Sequence, residues 1–351
     1  MMTHVRKPII FAHGLHSGGG ASVILSLIKT KRAQDCLFIL DDRLRNRLPE
    51  NTGLTAHFFP AGLMGRLRAE TWLKAHSDKD TKILSLNSLP FLRHQTGKVT
   101  YFFHNVNLLT SQRGIAPALS VSSWAKRVLF TCLIGRLHHV IVQTPTVKEQ
   151  MLQRFDRLNQ ADIRVHGFVP PDIASPQPEP APPKARSLHL LYVADDQPHK
   201  NHATLLEAVQ MLCIADTKLT LTLTLTLDEG APVVKRWQQQ TGRANNLRII
   251  TCGYLDRPAL QKAYQTADAL IFASHHESFG LPLIEAAHYK LPIIAAERDF
   301  VRDVCTPHEA FDPASARSVA SAIARFANRD TGALRACWTD ADNFLETFFD
   351  Q

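Results

Sequence analysis

The sequence predicts an α/β protein built from two parallel-sheet domains, and three observations carry that prediction. Short apolar runs rich in β-branched and aromatic residues alternate with stretches of helical spacing, this alternation occurs twice, and a proline-rich segment separates the two occurrences. Strand followed by helix, repeated, gives a parallel sheet with helices on both faces, because parallel neighbours must be joined by a crossover.

In chain order, the first half places strands at residues 8–12, 36–40, 82–86, 99–103 and 140–143, each ending in polar or turn residues. Helical spacing fills 21–30, 63–75 and 121–137. The segment PPDIASPQPEPAPPKAR at 170–186 then stops the pattern, since proline forbids helix continuation and supplies few donors for a ladder. It reads as a linker over 173–186, between a domain at 1–172 and one at 187–337. Strands resume at 188–193, 219–227, 247–251, 269–273 and 292–295, with helices at 204–212, 257–266, 282–289 and 316–326. The Leu/Thr alternation LTLTLTL has the period of two of a strand with one less apolar face. At the end, Trp338, Phe344, Leu345 and Phe348 fall at helical spacing, and a closing helix at about 338–351 is expected to pack back on the first domain.

Composition bounds the rest. The chain has 351 residues, 45% hydrophobic and 21% charged, which describes a globular protein. Its six cysteines are scattered without CxxC spacing, so a reducing compartment and no zinc cluster are expected. MMTHVRKPIIFAHG runs straight into a strand pattern, unlike a signal peptide, and no apolar run is long enough to span a bilayer. These features point to the cytoplasm. The net charge of +8 is uneven: residues 1–170 carry 23 Lys and Arg against 10 Asp and Glu, and residues 171–351 carry 17 against 22. A basic half suits an anionic partner, such as lipid headgroups or a diphosphate-linked acceptor. Nucleic acid ranks last, because no reading module is recognisable. Residues 121–137, with Trp124, Lys126, Arg127 and Arg136 beside an apolar face, are read either as a helix resting on anionic lipid or as one packed on its own sheet. Arg43, Arg45, Arg47, Arg66 and Arg68 add to the basic balance, which favours peripheral attachment.

The densest chemical signal is SHHESFGLPLIEAAHYKLPIIAAE at 274–297. It begins at the carboxyl end of the strand ADALIFAS, where open α/β sheets place their ligands. Ser278, Phe279, Gly280 and Leu281 lead into a helix whose first position is expected to be Pro282. Free first-turn amides and the helix dipole make that turn a site for a diphosphate, and Gly280 lets backbone approach it. Glu277 precedes the turn and Glu285 lies one turn into the helix, where it can accept from the vicinal hydroxyls of a ribose. A Glu that only complements the helix dipole is the alternative for Glu285.

Glu277 through Glu285, with Phe279-Gly280-Leu281-Pro282 between them, resembles the Glu-x7-Glu signature of the retaining GT-B glycosyltransferases, strongly over residues 188–326. The resemblance implies a GT-B fold: two Rossmann-like domains facing across a cleft, with a nucleotide diphosphate sugar between them. It implies Glu285 on the ribose, Glu277 on the donor sugar and the 279–283 backbone on the diphosphate. It also implies Lys200 on donor phosphate, with Asn201 and Thr204 capping the helix that follows. The family pairs such a lysine with an upstream arginine, and here that stretch is Asp195-Asp196-Gln197. Gly253 and Tyr254, after a strand, resemble the segment that holds the nucleobase through backbone groups. Gly18, Gly19 and Gly20 form a glycine-rich turn after strand one that allows main chain to lie against phosphate or sugar. His104 closes the strand TYFFHN, where the resemblance implies contact with donor sugar or acceptor, and His13 and His16 are lesser candidates. The implied reaction moves a hexose-type sugar, with retention, onto a saccharide or polyprenyl-diphosphate-linked acceptor, in O-antigen, capsule or lipopolysaccharide assembly. No cofactor or metal is expected, since Asp41-Asp42 and Asp195-Asp196 read as turn residues. A non-catalytic nucleotide-sugar binder and a nucleotide-sugar epimerase are the alternatives.

Overall fold

The computed structural model describes residues 7–16, 18–48, 53–109, 121–169, 186–239, 244–328 and 339–340. They divide into two units, one within Met1–Ala174 and Trp338–Gln351, the other within Ser175–Cys337. The proline-rich stretch at 170–185 lies outside the described residues, as does most of the predicted closing helix.

The first unit runs β1 (Ile9–Ala12), α1 (Gly18–Ile28), β2 (Leu37–Asp41), β3 (Thr55–Phe59), α2 (Gly62–His76), β4 (Lys82–Ser85), β5 (Lys98–Phe103), α3 (Val121–Leu133), β6 (His139–Val142), α4 (Pro145–Arg154), β7 (Asp162–Val165) and β8 (Phe168–Val169). Seven strands pair in parallel in the order β3-β2-β1-β4-β5-β6-β7. Alternation along β1 feeds two cores: Ile9 and Phe11 pack with Tyr101, Phe103 and Phe130, while Ile10 and Ala12 pack with Ile24, Phe38 and Phe102. A strand buried on both faces needs an unbroken apolar run, which is why β1 is legible as IIFA.

The second unit runs β9 (Ser187–Tyr192), α5 (His202–Ala215), β10 (Thr220–Leu225), α6 (Pro232–Gln238), β11 (Leu247–Thr251), α7 (Arg257–Thr266), β12 (Ala269–Phe272), α8 (Leu281–His288), β13 (Ile293–Ala296), α9 (Asp299–Arg302), β14 (Glu309–Phe311) and α10 (Ala316–Ala327). Six strands pair in parallel in the order β11-β10-β9-β12-β13-β14. The Leu/Thr run is the inner strand β10: Leu221, Leu223 and Leu225 are fully buried, and Thr224 meets the His189 ring across the β9 pairing. Caps fix the helix starts, with Thr144 accepting from the Val147 amide, Asp256 from Ala259 and Ser315 from Ser318.

Three local expectations are corrected. Gly18–Gly20 are the first turn of α1, not a turn before it; the loop after β1 turns instead at Gly14, whose φ is +91°. Helix α8 begins at Leu281, with Pro282 second and Gly280 in the capping position. Thr339–Asp340, inside the predicted closing helix, form β15, which pairs in parallel with β8 within the first unit.

Candidate functional site

In the second unit, β9 and β12 are sheet neighbours although three helices and two strands intervene, and the strand order reverses between them. Their carboxyl ends therefore open the crevice that parallel sheets use for ligands. Lys200 arrives from the segment after β9 and Glu277 from the segment after β12. Their side chains, 16% and 14% exposed, meet with Nζ donating to Oε1 at 2.6 Å.

The two segments are stitched together around that pair. The Tyr192 hydroxyl donates to the Lys200 carbonyl at 2.5 Å and lies 3.2 Å from Ser274 Oγ, and the His275 amide donates to the His199 carbonyl at 2.8 Å. The His199 and His276 rings stack at 4.6 Å. Burial pushes the imidazoles of His199 and His275 down from their ordinary pKa, which keeps them neutral at pH 7. Asn201 sits at the N-cap of α5 with φ +61°, yet its side chain does not cap the helix. Instead Nδ2 donates to the carbonyls of Ala273 and Pro313, tying the end of β12 to the turn before α10. Thr204 lies inside α5 and is not its cap.

Helix α8 opens on Gly280 at φ +78°, ψ +56°. A Cβ there would lie 3.0 Å from Leu283 Cδ1, so both conformation and space call for glycine. Pro282 brings no amide and the Leu283 amide donates back to the Gly280 carbonyl, which narrows the set of first-turn donors expected from the sequence. The Phe279 side chain is buried, leaving its backbone to the turn; Ser278 and Leu281 flank it. One turn in, Glu285 is buried and engaged on both oxygens: Arg257 Nη1 donates to Oε1 at 2.5 Å and the Tyr264 hydroxyl to Oε2 at 2.7 Å. After β11, Gly253 has φ +64° with its amide donating to the Leu227 carbonyl, and Tyr254 is 80% exposed.

In the first unit, His104 follows β5 beside the start of α1: a Cβ on Gly20 would lie 3.5 Å from its Nε2. The Ser88 hydroxyl accepts from the His104 amide, and burial pushes the imidazole down to about 4, so it is neutral at pH 7. His13 is buried, its Nε2 on the Pro60 carbonyl and its own carbonyl accepting from Asn87. His16 lies at Arg43 Nη1, 3.0 Å away. These contacts make His13 a tie between loops.

Residues 177–341 match the family of glycosyl transferases group 1. The fold is shared with HepE of Anabaena, solved with UDP and glucose, at a TM-score of 0.65 and 18% identity over 92% of this chain and 90% of that one. The family match covers just under half of the chain, and the chain has the GT-B fold. Among curated relatives, the serotype-specific mannosyltransferase WbdA of Escherichia coli is 47% identical over 49 residues, 14% of this chain and 6% of its own length. The O-antigen chain mannosyltransferase B of Escherichia coli is 29% identical over 108 residues, 31% of this chain and 28% of its own. The chain thus matches less than a third of the length of either relative.

Within the matched residues, the structure joins Lys200 to Glu277 and places Gly280 and Glu285 on one helix start. It adds residues that sequence reading missed: Arg257 and Tyr264 on Glu285, and Tyr192 behind Lys200. Arg257 and Tyr264 are seven apart on α7 and hence share a face, a spacing visible in the sequence, but nothing in the sequence says which carboxylate that face meets.

Proposed function

We propose that this protein is a retaining glycosyltransferase that moves a hexose-type sugar from a nucleotide diphosphate donor to a saccharide or polyprenyl-diphosphate-linked acceptor in O-antigen, capsule or lipopolysaccharide assembly. The observation that carries the reading is the Lys200–Glu277 pair beside the Gly280 turn, with Glu285 one turn further on. Each charge of the pair neutralises the other, so a diphosphate that takes the ammonium frees the carboxylate for donor-sugar hydroxyls. As the sugar–phosphate bond breaks, negative charge grows on the leaving diphosphate, and Lys200 with the N-terminal end of α8 is placed to stabilise it. The departing phosphate oxygen can deprotonate an acceptor hydroxyl on the same face, which gives retention. His104 stays neutral at pH 7 and can donate or accept one hydrogen bond to a sugar hydroxyl.

No cofactor and no metal are proposed. A lysine with a helix start supplies the positive end that a metal otherwise would. The WbdA and O-antigen mannosyltransferase segments support the polysaccharide setting. The test is thermal stabilisation by UDP-, GDP- and dTDP-sugars. One donor class is expected to raise Tm in the wild type and to do so much less in Glu285→Ala; equal stabilisation in that variant removes Glu285 from the nucleotide site.

A further inference from the structure

We propose that Arg257 and Tyr264 are positioning residues for the nucleoside half of the donor: they hold the Glu285 carboxylate so that each of its oxygens keeps one lone pair open to the vicinal hydroxyls of a ribose. The proposal rests on the donor reading of α8 given above. A carboxylate offers two lone-pair sites on each oxygen. The Arg257 guanidinium takes one on Oε1 and the Tyr264 hydroxyl one on Oε2, so the two donors are divided between the oxygens. That division matters because a vicinal diol presents two O–H donors side by side. Had both protein donors gone to one oxygen, the second hydroxyl would meet a filled acceptor.

The two holders differ in kind. Tyr264 is buried and its ring stacks on Tyr289 at 5.3 Å and 15°, so the hydroxyl position is fixed by packing. Burial and the neighbouring Glu285 charge push its pKa well above the ordinary phenol value, and it remains a protonated donor at any working pH. Arg257 comes from the surface side, its side chain 35% exposed, at the first position of α7, where the Asp256 cap on the Ala259 amide fixes the backbone. A guanidinium does not lose its proton. Rotating the carboxylate out of plane breaks both bonds at once, so its orientation is set before a nucleotide arrives and less order remains to be imposed on binding.

Calorimetry with UDP, GDP, their 2′-deoxy counterparts and inorganic pyrophosphate tests this on the wild type, Glu285→Ala, Arg257→Gln, Arg257→Lys, Tyr264→Phe and the double variants with Glu285→Ala. Loss of one hydrogen bond to a charged group sets the expected scale, about tenfold for Glu285→Ala and about fivefold for Tyr264→Phe and Arg257→Gln on ribonucleotides. Pyrophosphate affinity stays within about twofold, the ribo-to-deoxy ratio falls toward one, Arg257→Lys recovers part of the loss, and neither substitution weakens binding further once Glu285 is gone. A merely structural role would weaken pyrophosphate and both nucleotide series alike, and would overturn the proposal. So would unchanged ribonucleotide affinity in Tyr264→Phe and Arg257→Gln while Glu285→Ala loses it. If the wild type binds neither nucleotide, or Glu285→Ala binds as well as wild type, the donor reading itself fails.

Discussion

His104 and His202 give the folded chain a pH response that their surroundings impose. Burial pushes both imidazoles down to about 4 from an ordinary 6.5, and the His202 Nε2 has no hydrogen-bond partner among the described residues. Above pH 6.5 both folded and unfolded chains are neutral at these rings. As pH falls from 6.5 to about 4, only the unfolded chain takes up the protons, so stability drops across that window and the decline ends once the folded rings protonate too. A Tm profile measured from pH 7 to pH 4 is expected to fall, and His202→Asn to flatten the slope; a level profile would show that these rings are not shielded. The same scale decides what the sequence could disclose about the site. The Glu277-to-Glu285 stretch is local, so its residues are legible as a motif. Their partners are not: Lys200 reaches Glu277 across 77 positions and Arg257 reaches Glu285 across 28. Those meetings depend on strand order.

Among the elements, the inner strands are legible, and of the edge strands β11 is read at 247–251 while the others are not. β1, β12 and β13 are buried throughout and read as apolar runs, whereas β3 and β7 sit at sheet edges, carry polar residues and show little periodicity. Three-residue β14 is too short for any pattern to emerge. The glycine run at 18–20 reads as a turn because glycine usually marks one, but the chain turns earlier, at Gly14, and the close neighbour of Gly20 is Leu15, whose Cδ2 would lie 3.0 Å from an added Cβ. A sharper requirement sits on α2. A Cβ on Gly65 would lie 1.6 Å from the Pro60 carbonyl oxygen, the same carbonyl that His13 contacts. Gly65→Ala must push α2 off that loop, and chemical denaturation is expected to show a loss of about 1–3 kcal/mol or more, the scale of an overpacked site. A variant as stable as wild type would mean that α2 does not approach the loop so closely.

For the whole molecule, the division into two parallel sheets was legible because the strand-helix grammar restarts after the prolines, and that grammar is itself a consequence of crossovers. The basic excess of the first half was legible as a count, but not in its use. Arg43 is held by Asp41, Arg45 by Asp42 and Arg66 by Glu70, while Arg127 and Arg136 donate to the carbonyls of Asn107 and Phe91, so much of that charge serves the fold. What α3 does display is Trp124, 59% exposed, with Val128 beyond it. Among the described residues no helix is long and apolar enough to cross a membrane. Peripheral attachment through α3 is a proposal from Trp124 and the basic half, and it predicts cosedimentation with phosphatidylglycerol vesicles at low salt, reduced by Trp124→Glu and screened at high salt; absence of binding at low salt would overturn it. Acceptor-dependent release of nucleoside diphosphate from the best-binding donor measures the chemistry proposed at the Lys200–Glu277 pair directly. The wild type is expected to turn over, and Lys200→Ala to lose about a hundredfold or more in kcat, as removal of a group that stabilises charge in the transition state does. Turnover by Lys200→Ala at the wild-type rate would contradict the account.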